Sequence, residues 1–112
     1  MLGNGGIYKG KRILSREIID QMSTPQLPDT IKGISKGQSW GLSVRVISAD
    51  NGSGAPLTKG CFGWSGAWGT HFWVDPVHNI VALYMTNLSN AGGSGAETAR
   101  ELERDVMGAL KE

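Results

Sequence analysis

The sequence predicts an α+β protein in which an antiparallel β-sheet of about four strands is flanked by a short N-terminal helix and a C-terminal helix. Apolar residues recur at helical spacing near both ends of the chain, and several segments between them alternate with a period of two. Seventeen glycines and four prolines supply turns between these segments. The length of 112 residues fits one domain.

The first predicted helix spans residues 16–22. Ser15 is placed to cap it, and three apolar side chains share one face, namely Ile18, Ile19 and Met22. Pro25 ends the helix because the residue before a proline is pushed out of the α region. Residues 25–39 contain two prolines and two glycines, which predicts an irregular connection.

Four segments are predicted to be strands, and the last of them differs from the others. Ile80–Met85 is apolar on both faces, which predicts a strand that is covered above and below. The other three show alternation or a short apolar run bounded by turn residues. They are Trp40–Ile47, Lys59–Ser65 and Gly69–Asp75.

The C-terminal helix has the clearest pattern in the chain. Ser94 and Glu97 have the spacing of a capping box. Apolar residues then recur at helical spacing, namely Ala99, Leu102, Val106 and Leu110. Charged residues are expected on the solvated face, namely Arg100, Glu101, Glu103 and Arg104.

Composition and charge exclude several classes of protein. Eleven Lys and Arg residues against ten Asp and Glu residues leave a formal charge of +1, which argues against a nucleic-acid binder or an anionic-membrane binder. No apolar run reaches the length of a membrane span, and the start lacks a charged region before an apolar one. We therefore expect neither a transmembrane segment nor an intact signal peptide, and the sequence does not indicate a cellular compartment.

The cysteine and histidine content gives little support for a metal site. With one cysteine, Cys61, the chain has no internal disulfide framework and no multi-cysteine zinc site. We interpret Cys61 as a small buried hydrophobe, His71 as a hydrogen-bonded histidine of the sheet and His78 as a surface turn residue. Residues 37–41 match G-x-S-x-G, but a strand follows the match where a nucleophile elbow needs a helix.

The predicted elements do not complete a fold. A strand that is apolar on both faces needs two covering layers, and the C-terminal helix supplies one. Four strands also leave two unpaired edges. Residues 1–112 are therefore predicted to form a single partial domain, which self-associates through its exposed sheet edges.

Residues 60–76 hold three of the four tryptophans together with several glycines. Considered alone, this pattern is typical of a tight β-hairpin with aromatic residues packed across its strands. Residues 63–76 also resemble the third-motif hairpin of the serine β-lactamase-related family. That family includes class C β-lactamases, penicillin-binding-protein-like peptidases and family VIII-type esterases. Residues 1–15, residues 40–44 and the final helix resemble later parts of the same proteins, so the resemblance covers essentially the whole chain in order.

The resemblance implies a β-lactamase-like fold and specific roles for the hairpin. In the family the third motif is Lys/His-Thr/Ser-Gly, and Trp64-Ser65-Gly66 stands in that place. It implies that Ser65 and Ala67 are catalytic residues. Ser65 hydrogen-bonds the substrate or the catalytic network, and the Ala67 N–H is an oxyanion-hole donor.

The same resemblance assigns substrate binding to Trp64, Gly66 and Trp68. Gly66 allows a close backbone approach, and Trp64 forms a wall of the acyl pocket. Tryptophan in place of the basic residue favours an esterase over an enzyme that recognises a carboxylate.

Two family motifs are absent from the sequence. None of the lysines has a serine three residues before it, so there is no Ser-x-x-Lys, and there is no Tyr-x-Asn or Ser-x-Asn. We therefore predict the C-terminal portion of a serine hydrolase that is inactive alone, whose parent acts on an ester, a peptide or a β-lactam without a metal or organic cofactor. The alternative is a non-catalytic binding module that uses the aromatic hairpin or the open sheet edge.

Overall fold

The computed structural model describes residues 1–28, 30–31, 35–49, 56–90, 92–93 and 96–110. A 3-10 helix, Leu2–Asn4, begins the chain, and the two α-helices are α1, Arg16–Ser23, and α2, Glu97–Ala109. The strands are β1 (Ile7–Tyr8), β2 (Lys11–Arg12), β3 (Gln38–Trp40), β4 (Arg45–Ile47), β5 (Phe62–Ser65), β6 (His71–Asp75) and β7 (Ile80–Tyr84).

The α+β class is confirmed, with more strands than the four predicted. β1 and β2 form a two-stranded ribbon, and the other five strands form one sheet in the order β3-β4-β5-β6-β7. All pairs are antiparallel. Within the described ranges, neither helix has both the length and the apolar content to cross a bilayer.

The prediction of one continuous strand from Trp40 to Ile47 is wrong. The segment is a hairpin in which Trp40 pairs with Arg45, and the Gly41 N–H donates to the Val44 carbonyl oxygen at 2.9 Å. Ser43 has a φ of 67°, a left-handed conformation that reverses the chain. The alternation over residues 40–47 therefore comes from two short strands and the turn between them.

The sheet has two apolar faces, and alternate residues of β6 point to opposite ones. On the α2 side, Trp73 belongs to a cluster with Met107 of α2, Ile47, Leu57 and Cys61. On the other side, Val74 belongs to a cluster of Val44, Val46 and Phe62, against which Leu2 packs. The predicted alternation along Gly69–Asp75 is thus confirmed over β6.

Strand β7 is not covered above and below, contrary to the prediction. Among the described residues it pairs with β6 alone and forms an edge of the sheet. Ala82 packs against the cluster on the α2 side, whereas Val81 and Leu83 on the opposite face are 60% and 65% exposed. Among the described residues, therefore, one face of this apolar strand is packed against the core and the other is exposed.

The predicted N-terminal cap is present in α1 and absent from α2. The Ser15 hydroxyl accepts a hydrogen bond from the Ile18 N–H at 3.2 Å, which confirms the cap of α1. Helix α2 begins at Glu97 after Ala96, without a side-chain cap, so the predicted start after Ser94 is wrong. Ser94 itself lies outside the described residues.

Candidate functional site

The candidate site is built on the hairpin between β5 and β6. Trp64 pairs with Phe72 and Ser65 pairs with His71, so the aromatic pair and the polar pair project from opposite faces. The Gly66 N–H donates to the Thr70 carbonyl oxygen at 2.8 Å and closes the turn. The tight hairpin predicted from the glycine spacing is confirmed.

The segment that follows β7 holds this turn in place. The Gly93 N–H donates to the Gly66 carbonyl oxygen at 3.0 Å, and the Leu88 N–H donates to the Trp68 carbonyl oxygen at 3.1 Å. Ala67 is exposed, and in the described part of the chain no group accepts a hydrogen bond from its N–H. The turn therefore offers the Ala67 N–H to solvent or to a ligand.

A cleft of ≈ 320 Å³ lies beside the hairpin. Its apolar lining consists of Trp64, Phe72, Leu83 and Met85, and its remaining lining consists of Ser65, Gly66, Thr70 and His71. The Trp40 ring packs against the Trp64 ring, with their centroids 4.4 Å apart, and supports this wall of the cleft. Three of the five predicted site residues thus line one cleft.

The other two predicted site residues lie on the adjoining turn. Ala67 and Trp68 are both exposed there, and the Trp68 side chain retains 61% of its accessible surface. Neither residue lines the cleft. All five predicted site residues therefore lie in one hairpin, but three of them line the cleft and two lie on the turn outside it.

Behind the hairpin, a buried row of polar side chains connects four elements. The Ser65 Oγ lies 2.8 Å from His71 Nδ1, and His71 Nε2 lies 3.0 Å from Glu103 Oε1. Arg45 Nη2 donates to the same Glu103 oxygen at 2.8 Å. The row therefore runs from β4 through α2 and β6 to the third-motif position on β5.

Burial and hydrogen bonding act in opposite directions on Glu103. Burial of its carboxyl, which is almost fully enclosed, favours the neutral form and raises its pKa. Hydrogen bonds from His71 and Arg45, together with the charge of Arg45, outweigh burial and hold the pKa below its ordinary value. Glu103 is accordingly the anionic member of the row.

The prediction that Glu103 lies on the solvated face of the C-terminal helix is wrong. Glu103 is buried, and no motif in the sequence indicated that it links Arg45 to His71. The buried face of α2 consists of Ala99, Glu103 and Met107, which follow one another at intervals of four residues. A carboxylate in the middle of an apolar stripe is the signal that could have identified it. Its partner Arg45 is likewise buried, on the sheet face towards α2.

The remaining polar candidates have structural partners. The buried Asp75 carboxylate accepts hydrogen bonds from the Val77 and His78 N–H groups and from the His78 ring, and so stabilises the turn that follows β6. Cys61 is fully buried, and burial raises the pKa of its thiol to about 11. Among the described residues, no three His, Cys, Asp or Glu side chains converge as metal ligands.

Comparison with known proteins identifies the family to which this hairpin belongs. The sequence model of the Beta-lactamase family matches residues 6–105. The chain therefore belongs to the Beta-lactamase family, as the resemblance of the hairpin and flanking segments predicted.

Two curated relatives come from Mycobacterium tuberculosis. Uncharacterized protein MT1414 of strain CDC 1551 / Oshkosh and protein Rv1367c of strain ATCC 25618 / H37Rv are each 33% identical to this chain over 96 residues. The match covers 76% of this chain and 24% of each relative. The chain thus spans about a quarter of the length of the curated relatives it matches.

Proposed function

We propose that this chain is the C-terminal portion of a β-lactamase-like serine hydrolase and supplies one wall of its acyl-transfer site. The observation that carries the proposal is the N–H of the exposed residue Ala67, which has no acceptor among the described residues and directly follows Gly66, a lining residue of the cleft. A fixed backbone donor of this kind stabilises the charge that develops on an acyl oxygen in the transition state.

The proposal gives each hairpin residue a physical role. Trp64 forms the apolar wall against which the acyl group packs, and Gly66 allows the substrate to approach the backbone. Ser65 acts from behind the wall, since its hydroxyl is bonded to His71. Trp68 lies on the exposed turn and covers the outer part of a bound substrate.

The proposed hydrolase needs a nucleophile that this sequence lacks. A serine hydroxyl activated by a lysine forms the acyl intermediate in the family, and no Ser-x-x-Lys occurs among the 112 residues. An oxyanion donor stabilises an intermediate only where a nucleophile forms one. The chain by itself is therefore catalytically silent, and the activity belongs to an assembly that includes the nucleophile segment.

The experiment compares the isolated chain with a polypeptide that carries a Ser-x-x-Lys segment upstream of it. Both are incubated with 4-nitrophenyl butyrate and with a chromogenic cephalosporin, and turnover and covalent adducts are measured. We expect no turnover and no adduct from the chain, and ester hydrolysis from the longer polypeptide. A serine-dependent adduct on the chain alone contradicts its inactivity, and saturable binding without turnover by the longer polypeptide indicates a binding module.

A further inference from the structure

We propose that the Thr70 hydroxyl is a ligand-binding group of the cleft and donates a hydrogen bond to an oxygen of the bound acyl compound. The inference rests on the proposed function, because it names a further contact between that same site and its ligand. The sequence analysis assigned no role to Thr70. Its role follows from the position of its side chain on the cleft wall and from the hydrogen bonds of the side chains around it.

Thr70 lies on the same face of the hairpin as the apolar wall of the cleft. It directly precedes β6, and its carbonyl oxygen continues the ladder by accepting from the Gly66 N–H. Because side chains alternate along a strand, Thr70 and Phe72 share the cleft face, whereas His71 points towards α2. Trp64, which pairs with Phe72, lies on the cleft face as well. The Thr70 side chain can therefore reach a ligand that packs against this wall.

Gly66 leaves the space in which the Thr70 hydroxyl lies. A Cβ atom added at position 66 would collide with Thr70 Oγ1 and lie 3.7 Å from Thr70 Cβ. The hydroxyl thus occupies the position of the side chain that glycine lacks. Since Ala67 directly follows, a ligand that approaches Gly66 meets the Thr70 hydroxyl beside the residue whose N–H is the proposed oxyanion donor.

The Thr70 hydroxyl is free to bind a ligand. Two other polar side chains that line the cleft, Ser65 and His71, are buried and hydrogen-bonded to each other. In the described part of the chain, no group is hydrogen-bonded to the hydroxyl of Thr70. Thr70 is also only half-buried. Its hydroxyl is therefore both unpaired within the described ranges and accessible from the cleft.

The surroundings of this hydroxyl indicate the chemical class of the ligand. Four side chains that line the cleft are apolar, and a site of this composition binds an apolar body while a few polar groups fix its orientation. A threonine hydroxyl has one hydrogen to donate, and a backbone N–H is also a donor. Two neighbouring donors beside an apolar wall fit an acyl compound that joins an apolar group to acceptor oxygens, such as an ester.

The first test compares an ester with a hydrocarbon that has the same aromatic ring, methyl phenylacetate and propylbenzene. Binding to the chain and to Thr70→Val is followed by NMR at the Trp64 indole resonance. Valine keeps the branched side chain and removes the hydroxyl. We expect Thr70→Val to bind the ester about threefold to tenfold more weakly, as for one lost hydrogen bond, and to bind the hydrocarbon within about twofold of the unsubstituted chain.

Thr70→Ser is the matched control, because it retains the hydroxyl and lacks only the methyl group. We expect it to bind the ester within about twofold of the unsubstituted chain. An affinity as low as that of Thr70→Val contradicts the hydrogen bond. Equal weakening of both probes in Thr70→Val, unchanged binding of the ester, or no binding of the ester to the unsubstituted chain overturns the proposal.

A second variant moves the hydroxyl without removing it. Gly66 does not have a left-handed φ, so its backbone accepts alanine. The added Cβ takes the place of Thr70 Oγ1, and the threonine side chain must rotate. We expect Gly66→Ala to lower the ratio of ester affinity to hydrocarbon affinity at least about threefold. If Thr70→Val does not fold, this ratio decides, and an unchanged ratio overturns the proposal.

The binding tests need no nucleophile, so the two proposals fail separately. If the longer polypeptide hydrolyses no ester but Thr70→Val selectively weakens ester binding, the hydrolase is disproved and the Thr70 contact remains. In an active longer polypeptide, a contact made equally in the ground state and the transition state should raise KM about threefold to tenfold in Thr70→Val, with kcat unchanged. If KM and kcat both stay within about twofold, the Thr70 contact is disproved and the hydrolase remains.

Discussion

Gly92 lies directly against the carbonyl group of Ala67. A Cβ atom at position 92 would lie 2.2 Å from the Ala67 oxygen and 2.4 Å from the Gly69 nitrogen, so no other residue type fits there without a shift. The neighbouring Gly93 donates to the Gly66 carbonyl oxygen. The turn that presents the proposed oxyanion donor is therefore clamped by a segment more than twenty residues away in sequence.

Gly92→Ala should displace that turn. We expect large shifts of the Ala67 and Trp68 amide resonances, and a loss of unfolding free energy of about 1–3 kcal/mol, typical of overpacking. Chemical denaturation followed by tryptophan fluorescence measures the second quantity.

Gly108→Ala is the matched control for Gly92→Ala. An added Cβ at position 108 in α2 meets nothing within 4 Å, and alanine favours a helix. The control should therefore be neutral or stabilising. Equal effects of the two substitutions would show that Gly92 does not clamp the turn.

The parts of the fold that depend on local signals could be predicted from the sequence. Ser15 and the apolar stripe after it define α1, and the glycines around Trp64 to Thr70 define the hairpin that positions the site. The hairpin of β3 and β4 was missed, because Gly41 and the left-handed Ser43 lie inside a run that also fits one strand. Alternation alone does not distinguish a strand from two short strands with a turn between them.

The candidate site could be predicted only in part, for a related reason. Residues that are neighbours in sequence, such as Trp64, Ser65 and Ala67, were identified together from one motif. Glu103 is 32 residues from His71, whose ring it contacts. In sequence, a buried glutamate on a helix cannot be distinguished from a glutamate on the solvated face of that helix. Its burial depends on how α2 packs on the sheet, which local patterns do not determine.

Acid should destabilise the fold partly through Asp75. Its burial raises the carboxyl pKa, but hydrogen bonds from His78 and Val77 outweigh this and hold the pKa below its ordinary 3.8. A carboxyl with a depressed folded-state pKa contributes stability above its unfolded pKa, and that stability is lost as pH falls through the folded one. Thermal unfolding between pH 7 and pH 2.5 should show this loss.

Asp75→Asn removes the titrating group while keeping a side-chain acceptor for the turn. We expect lower stability at pH 7 and a shallower decline of stability below about pH 4. Asp105→Asn, at an exposed position of α2, is the control and should leave the profile nearly unchanged. An Asp75→Asn profile parallel to that of the unsubstituted chain would exclude Asp75 as a source of acid sensitivity.

We propose that the isolated chain self-associates through the exposed edge strand β7. Val81, Leu83 and Met85 are all at least 60% exposed, and the outer edge of β7 has no partner strand among the described residues. Sedimentation at increasing concentration should show a rising average mass, and Leu83→Lys should lower it. Val77→Lys, in the turn before β7, is the control, and a monomer at every concentration would contradict the proposal.

Ala67→Pro should separate turnover from binding in the longer, nucleophile-bearing polypeptide. Proline removes the N–H at position 67, so the charge on the acyl oxygen loses a donor in the transition state, while the apolar wall at Trp64 still binds the acyl group. We expect kcat to fall by about 10²–10³-fold with KM changed by less than about threefold. Ala67→Gly retains the N–H and should retain most of the activity. If kcat and KM change to the same extent in Ala67→Pro, the residue contributes binding alone and the oxyanion donor must be sought elsewhere.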